Sequence, residues 1–336
     1  MQITLQNTEK GQCYAVRFDR YRQQVVDKLK TAVSVRWWDK STGAWMIPAN
    51  NKCKAELDQL TYYVRHFEPV NWGGNESKTD EDIAYQIPDM PELDEDHGLK
   101  IQPYPYQLQG IARGLQLKRF INGDDMGLGK TLESIATINK ADAFPCLVIC
   151  PNTVKINWQR EWHKFTDKKA MVLTDSVRTS WPFFWQTGMN HVFIVNYESL
   201  RKYFVRRINK SEKWTLKDVE FHNTIKLFKS VIIDESHKVK STATQQSKFC
   251  KGITAGKEWI ILLTGTPVVN KPNDLICQLA IMDRMNDLGG WKYFTSRYCS
   301  GPHGASNLKE LNFMLWKHCF FRREKSKVLT QLPDKV

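Results

Sequence analysis

The sequence predicts an α/β fold, a parallel sheet with helices on both faces, preceded by a small α+β domain of ββαββα order. Three observations carry that prediction. Four short apolar runs, at 146–150, 192–195, 231–233 and 259–263, are rich in Val, Ile and Leu and separated by longer amphipathic stretches. Runs of this length are too short for buried helices and suit strands covered on both faces, as in a parallel sheet. Residues able to do chemistry stand directly after these runs, and ligands bind such sheets at the carboxyl ends of the strands. Before residue 75 the pattern is one of short alternations broken by turn residues, which reads as hairpins.

Residues 2–6 and 12–18 alternate polar and apolar on either side of Asn7-Thr8-Glu9-Lys10-Gly11, giving a first hairpin. Phe18, Tyr21, Val25 and Leu29 follow at helical spacing. A second hairpin pairs 33–37 with 44–48 across a turn at 39–43, and Leu57, Leu60 and Val64 mark a second helix. These elements make a domain over residues 1–74. Its aromatics Trp37, Trp38, Trp45, Tyr62 and Tyr63 stand near Arg17, Arg36 and Lys54, a combination that suits stacking on unpaired bases. A domain this small also needs large side chains to fill its core, which accounts for most of them and keeps Trp37 and Trp38 as candidates. Residues 75–98 are acidic, contain Pro88 and Pro91 and lack apolar periodicity, so they predict a mobile linker. The α/β domain occupies 99–336.

The charge is unevenly spread along the 336 residues. The total of +13 divides into +4 over 1–75, −8 over 76–97 and +17 over 98–336. A surplus of that size on the larger domain suits a polyanion such as nucleic acid, although a soluble basic protein has the same composition. The eight cysteines form no CxxC pair and no cluster with histidines, which fits reduced intracellular thiols better than a disulfide framework or a metal site. No stretch approaches the ~18 apolar residues of a membrane span, and the N-terminus lacks a signal-peptide layout. The expected setting is therefore cytoplasmic and nucleoid-associated, or nuclear in a eukaryote, with no membrane partner.

The segment Asp124-Asp125-Met126-Gly127-Leu128-Gly129-Lys130-Thr131 follows the apolar Phe120-Ile121 and opens a helix-like run from Leu132 to Ile138. A glycine-rich turn at a helix N-terminus lets backbone N–H groups close around phosphate oxygens. There Lys130 would reach the β- and γ-phosphates of ATP and the Thr131 hydroxyl would hold Mg2+. Asp124 stands where the general pattern has glycine, so the bare motif is half satisfied. About a hundred residues later, Asp234 and Glu235 close the apolar run at 231–233. Phosphoryl transfer to water needs a carboxylate on the metal side and another to orient or deprotonate the water, the roles of Asp234 and Glu235 respectively. A solvated acidic turn is the alternative for the pair taken alone.

With these residues in place, the chain resembles the Swi/Snf-type ATPases of helicase superfamily 2, duplex-DNA translocases built from RecA-like lobes. The resemblance rests on an ordered series over about residues 100–335. Pro103 to Gly110 (PYPYQLQG) is similar to the family's adenine-reading segment, which implies that Gln107 contacts the base. Residues 124–131 resemble its P-loop, where Asp at the first position is usual and Asp125 replaces the usual Glu. Val148-Ile149-Cys150-Pro151, with Thr153, Asn157 and Trp158 after it, resembles a motif facing the DNA backbone. FIVNYESL, from Phe193 to Leu200, resembles another and implies a DNA contact at Tyr197. Asp234-Glu235-Ser236-His237 is similar to the DExH box, adding His237 to the catalytic set and Lys238 and Lys240 to the DNA side. LTGTPVVN, from Leu263 to Asn270, resembles the motif linking nucleotide state to DNA and implies roles for Thr264, Gly265 and Thr266.

More weakly, residues 1–70 resemble the HARP module of the annealing-helicase branch, which implies recognition of branched or partly unpaired DNA. The segment Phe321 to Val336 resembles the end of a first RecA-like lobe. The implied motor then needs a second such lobe, in cis or in trans, to supply arginine fingers, and Arg322 and Arg323 lie too near the lobe's end to serve. The expected activity is an ATP- and Mg2+-dependent translocase or annealing helicase, with the isolated chain weak or inactive. The rivals are an RNA helicase of the same superfamily and a non-catalytic DNA-binding remnant.

Overall fold

The computed structural model describes residues 1–8, 11–18, 22–65, 70–73, 85, 87–93, 97–210, 212–265, 272–299 and 304–328. Chain contacts divide the protein into two compact units, Met1–Ala84 and Tyr85–Val336.

In the first unit, β1 (Gln2–Thr8) and β2 (Gly11–Arg17) form the expected antiparallel hairpin. Helix α1 (Gln23–Ala32) starts five residues beyond Phe18, so Val25, Val26 and Leu29 are its buried positions. Strand β3 (Trp37–Asp39) is shorter and later than predicted and pairs with β4 (Ala44–Pro48). Helix α2 (Asn51–Val64) is capped by the Asn50 side chain, which accepts from the Cys53 N–H. A strand absent from the sequence reading, β5 (Asn71–Gly73), runs parallel to β1 and completes the order β3-β4-β2-β1-β5. Ile3, Val16 and Ile47 pack with Leu29, Leu57 and Leu60 of the helices on one face. On the other, Cys13, Ala15 and Met46 meet Trp37. Trp38 stays 49% exposed, edge-on to Trp45 at 5.5 Å, so it is the tryptophan of that pair with a ring to offer a ligand.

Part of the predicted linker, 75–84 with 86 and 94–96, lies outside the described residues. The rest of it departs from a mobile tether. Met90 and Leu93 are partly buried against the core of the second unit, and Tyr85 lies 5.5 Å from Phe313. Two apolar side chains spaced for one surface outweigh the acidic composition around them.

The second unit runs through α3 (Pro105–Leu117), β6 (Arg119–Asn122), α4 (Lys130–Lys140), β7 (Cys146–Cys150), α5 (Lys155–Phe165), β8 (Ala170–Val172), α6 (Trp181–Gln186), β9 (Val192–Asn196) and α7 (Leu200–Phe204). A two-stranded ribbon of β10 (Val205–Ile208) and β11 (Val219–Phe221) follows. The chain continues through β12 (Ser230–Ile233), α8 (Gln245–Thr254), β13 (Trp259–Leu263), α9 (Pro272–Ile281), α10 (Gly290–Tyr298), α11 (Leu308–His318), β14 (Phe320–Phe321) and α12 (Lys325–Val328). The main sheet has seven strands in the order β14-β6-β13-β12-β7-β9-β8, and every neighbouring pair is parallel.

Alternation along these strands divides one set of apolar runs between two cores. Leu147, Ile149, Phe193, Val195, Val231, Ile233, Ile260 and Leu262 face α7 to α11. Val148, Val192, Ile194, Ile232, Ile261 and Leu263 face α3, α4 and α5. Because both faces are covered, each strand reads as an unbroken apolar run. All eight cysteines are free and buried, and burial pushes the thiols of Cys146, Cys150 and Cys319 up to about 12. No helix among the described residues is long and apolar enough to cross a membrane.

Candidate nucleotide site and its DNA-side neighbours

The loop after β6 and the turn after β12 open at the same carboxyl edge of the sheet, with β13 between their strands. In the first loop Gly127 and Gly129 hold φ of +88° and +90°, backbone that L side chains rarely adopt. A Cβ on Gly129 would also collide with Gln107 Nε2. Lys130 opens α4 and turns its ammonium back onto the loop, donating to the carbonyls of Asp124 at 2.6 Å and Asp125 at 3.2 Å. Burial lowers the Lys130 pKa, and the carboxylates of Asp124, Glu235 and Asp234 oppose that shift. The acidic pair is thus close enough to act on its charge. Gly265, after β13, sits over the same place, where an added Cβ would come within 2.9 Å of Met126 Cγ and 3.8 Å of Lys130 Nζ. Thr131 is half-buried beside it, and the tip residues Met126 and Gly127 are exposed.

Asp124 does not face the loop's interior. It is fully buried, and Arg323 grips it through Nε, Nη2 and the backbone N–H, the last at 2.7 Å. The same guanidinium bridges Glu133 of α4 at 2.6 and 2.8 Å, and Asn122 Nδ2 donates to Glu133 at 2.9 Å. Arg323 lies over the rings of Tyr106 and Phe321 at 5.3 and 5.4 Å. Asp125 is held alongside by Arg322 Nη2 and the Lys325 N–H, both at 3.0 Å. The segment 321–325 thus straps the glycine loop from about two hundred residues away. Sequence reasoning set Arg322 and Arg323 aside as arginine fingers; their partners are the loop's own aspartates. Asn122, Glu133 and the strap carried no local signal. Gln107 is likewise buried, with Oε1 accepting from the Tyr104 N–H and Nε2 donating to the Leu128 carbonyl. Its amide supports the loop in this arrangement, and a base contact would require exchanging those bonds.

Asp234 is the most constrained member of the acidic pair. Its Oδ2 accepts from Trp158 Nε1 at 2.9 Å, its Oδ1 from the Glu235 N–H at 2.9 Å, and its carbonyl from the Tyr197 hydroxyl at 2.6 Å. Burial raises its pKa, partly countered by the Trp158 hydrogen bond. Glu235 sits in left-handed backbone at φ +51° with its carboxylate 3.2 Å from His237 Nδ1. A hard-oxygen pair, the Thr131 hydroxyl and Asp234 carboxylate, beside a glycine nest and a lysine fits Mg2+ with a polyphosphate.

The residues expected to meet DNA divide into two groups. Thr153, Asn157, Lys238 and Lys240 are exposed, with Lys240 3.6 Å from Asp274. Trp158 and Tyr197 are 1% and 2% exposed, so neither ring has a surface to present to DNA in this arrangement. Burial lifts the Tyr197 hydroxyl well above its usual range. Thr264 is buried, and Thr266 with the rest of 266–271 lies outside the described residues. The basic stretch after Leu200 forms the β10–β11 ribbon and an open depression of about 430 Å3 lined by Arg201, Lys202, Arg206 and Arg207 with Glu198.

Known proteins share this architecture. The family model of the SNF2-related domain matches residues 39–336. A Caenorhabditis elegans SWI/SNF-related matrix-associated actin-dependent regulator of chromatin subfamily A-like protein 1 homolog is 30% identical over 252 residues, covering 69% of this chain and 32% of that protein. Human DNA annealing helicase and endonuclease ZRANB3 is 29% identical over 252 residues, covering 71% and 22%. The chain thus spans about a third or less of the length of these curated relatives. The Sulfolobus solfataricus SWI2/SNF2 ATPase core in complex with dsDNA superimposes with a TM-score of 0.56 at 26% identity, covering 73% of this chain and 50% of that one. The glycine turn, the paired acids and the all-parallel sheet therefore sit in a chain that belongs to the SNF2-related family of Swi/Snf-type superfamily 2 ATPases.

Proposed function

We propose that the chain is the nucleotide-binding lobe of an ATP- and Mg2+-dependent DNA translocase of the annealing-helicase kind, moving on or remodelling double-stranded or branched DNA. The observation that carries this reading is Lys130, directly after the left-handed Gly127 and Gly129, on a loop that shares the carboxyl edge of the sheet with Asp234 and Glu235. The loop N–H groups and the α4 N-terminus would orient the phosphates, and Lys130 would leave the Asp124 and Asp125 carbonyls for the β- and γ-oxygens. Thr131 and Asp234 would hold Mg2+, which when bound neutralises charge on the phosphate oxygens. Glu235 would orient the attacking water and take its proton, with His237 fixing the carboxylate. The exposed Thr153, Asn157, Lys238 and Lys240 would track the DNA backbone, and the first unit, as a HARP-like module, would favour branched DNA. A second RecA-like lobe, in cis or trans, would add the arginine fingers, a contribution of about 10³–10⁵ in rate.

ATP hydrolysis by the chain together with a second lobe, with and without duplex DNA, tests this. Lys130→Ala should weaken nucleotide binding about 10- to 100-fold, as expected for a lost charge-assisted contact. Glu235→Gln should bind nucleotide normally and turn over about 100-fold or more slower. Normal turnover by Glu235→Gln refutes the assignment, and stimulation by RNA but not duplex DNA moves the protein to the RNA helicases.

A further inference from the structure

The two aromatic residues that the family pattern puts on the DNA side are buried, and both end on the same residue. Trp158 lies on α5, whose exposed first turns carry Ile156 and Asn157 just after Thr153. Tyr197 opens the tight turn 197–199 after β9. Lys155 Nζ reaches Asn196 Oδ1 at 3.4 Å, bridging α5 to the end of β9, and the Lys238 ammonium stands 5.9 Å over the Tyr197 ring. One side-chain donor holds the Asp234 carboxylate and the other holds its carbonyl, at 2.9 and 2.6 Å. Among the described residues, the neighbouring Glu235 N–H also donates to the carboxylate.

We infer that Trp158 and Tyr197 are positioning residues that tie the DNA-facing surface of α5 and the 197–199 turn to the metal-side carboxylate of Asp234, so that engaging DNA tightens the site for Mg2+. The inference rests on the functional reading above. A carboxylate ligand is oriented by the donors behind it, and loss of such a donor typically costs about 10- to 100-fold in metal affinity. Displacement of α5 or of the 197–199 turn by a phosphate backbone would move a donor on Asp234 directly, without crossing a flexible segment.

The test is a Mg2+ titration of the whole chain, reading the binding of a fluorescent non-hydrolysable ATP analogue, with and without duplex DNA. Trp158→Phe keeps an aromatic side chain but removes the N–H together with part of the indole's bulk; Tyr197→Phe removes only the hydroxyl. In the wild type, DNA should lower the Mg2+ midpoint. Trp158→Phe should raise the midpoint about tenfold and abolish most of the DNA effect, with Tyr197→Phe acting in the same direction. Nucleotide-free DNA affinity should stay within twofold of wild type in both, because neither ring reaches the surface. Unchanged Mg2+ midpoints in folded variants overturn the inference, even if melting temperature falls, since that marks a packing role. A matching loss of nucleotide-free DNA affinity also overturns it, by showing direct contact. If Trp158→Phe does not fold, Tyr197→Phe decides alone. A wild type that binds no Mg2+-nucleotide removes the functional reading and this inference together; one that binds it without any DNA effect removes only the inference.

Discussion

Glu133, Asp124 and Arg323 place two carboxylates around one guanidinium in a site closed to water. Both acids ionised would leave a net buried negative charge, and burial accordingly raises Glu133 to about 8 from 4.5, with Arg323 pulling the other way. The sign of the pH effect follows. Below the unfolded value of 4.5 both states carry the proton. Between 4.5 and about 8 the folded protein keeps a proton that the unfolded chain has released, so the contribution to stability declines as pH rises. Glu133→Gln removes that decline. Melting temperatures from pH 5.5 to 8.5 should therefore fall less steeply for the variant than for wild type, and parallel curves would show that Glu133 is ionised in the folded protein.

At the scale of elements, the β10–β11 ribbon carries charge whose worth can be counted. Arg206 and Arg207 both reach Glu220, at 3.0 and 3.2 Å, so one carboxylate serves two highly exposed arginines. Such surface pairs add little stability, about 0–1 kcal/mol. One arginine's worth of charge is left for a phosphate. If the ribbon grips DNA, replacing both by glutamine should flatten the log–log salt dependence of DNA affinity by roughly one unit, not two. A slope identical to wild type would make the ribbon a solvated face. The elements legible in the sequence were those whose environment is uniform along their length. β7, β9, β12 and β13 are buried on both sides and read as unbroken apolar runs. β3, β5, β8 and β14 are two or three residues long, too short for periodicity, and owe their pairing to distant partners.

For the molecule as a whole, the same division holds in the candidate site. The glycine turn and the acid pair are local patterns and could be read directly, because phosphate chemistry dictates spacing within a few residues. The strap from Arg323 to Asp124 and the bond from Trp158 to Asp234 span 199 and 76 residues, and no short window contains them. Family resemblance identified Trp158 and Tyr197 as important but placed them outward, because a motif says which residues recur and not which way they point. The buried thiols offer a different kind of consequence. A maleimide or an aromatic disulfide reagent should find all eight cysteines silent in the native chain and all eight available after denaturation. Cys13 and Cys53 lie in the first unit and the other six in the second. Stepwise alkylation along a urea gradient, read by peptide mass spectrometry, should thus report the opening of each unit separately; labelling of any native cysteine at zero urea would contradict the packing. The same silence lets one engineered surface cysteine carry a dye with the native eight left in place.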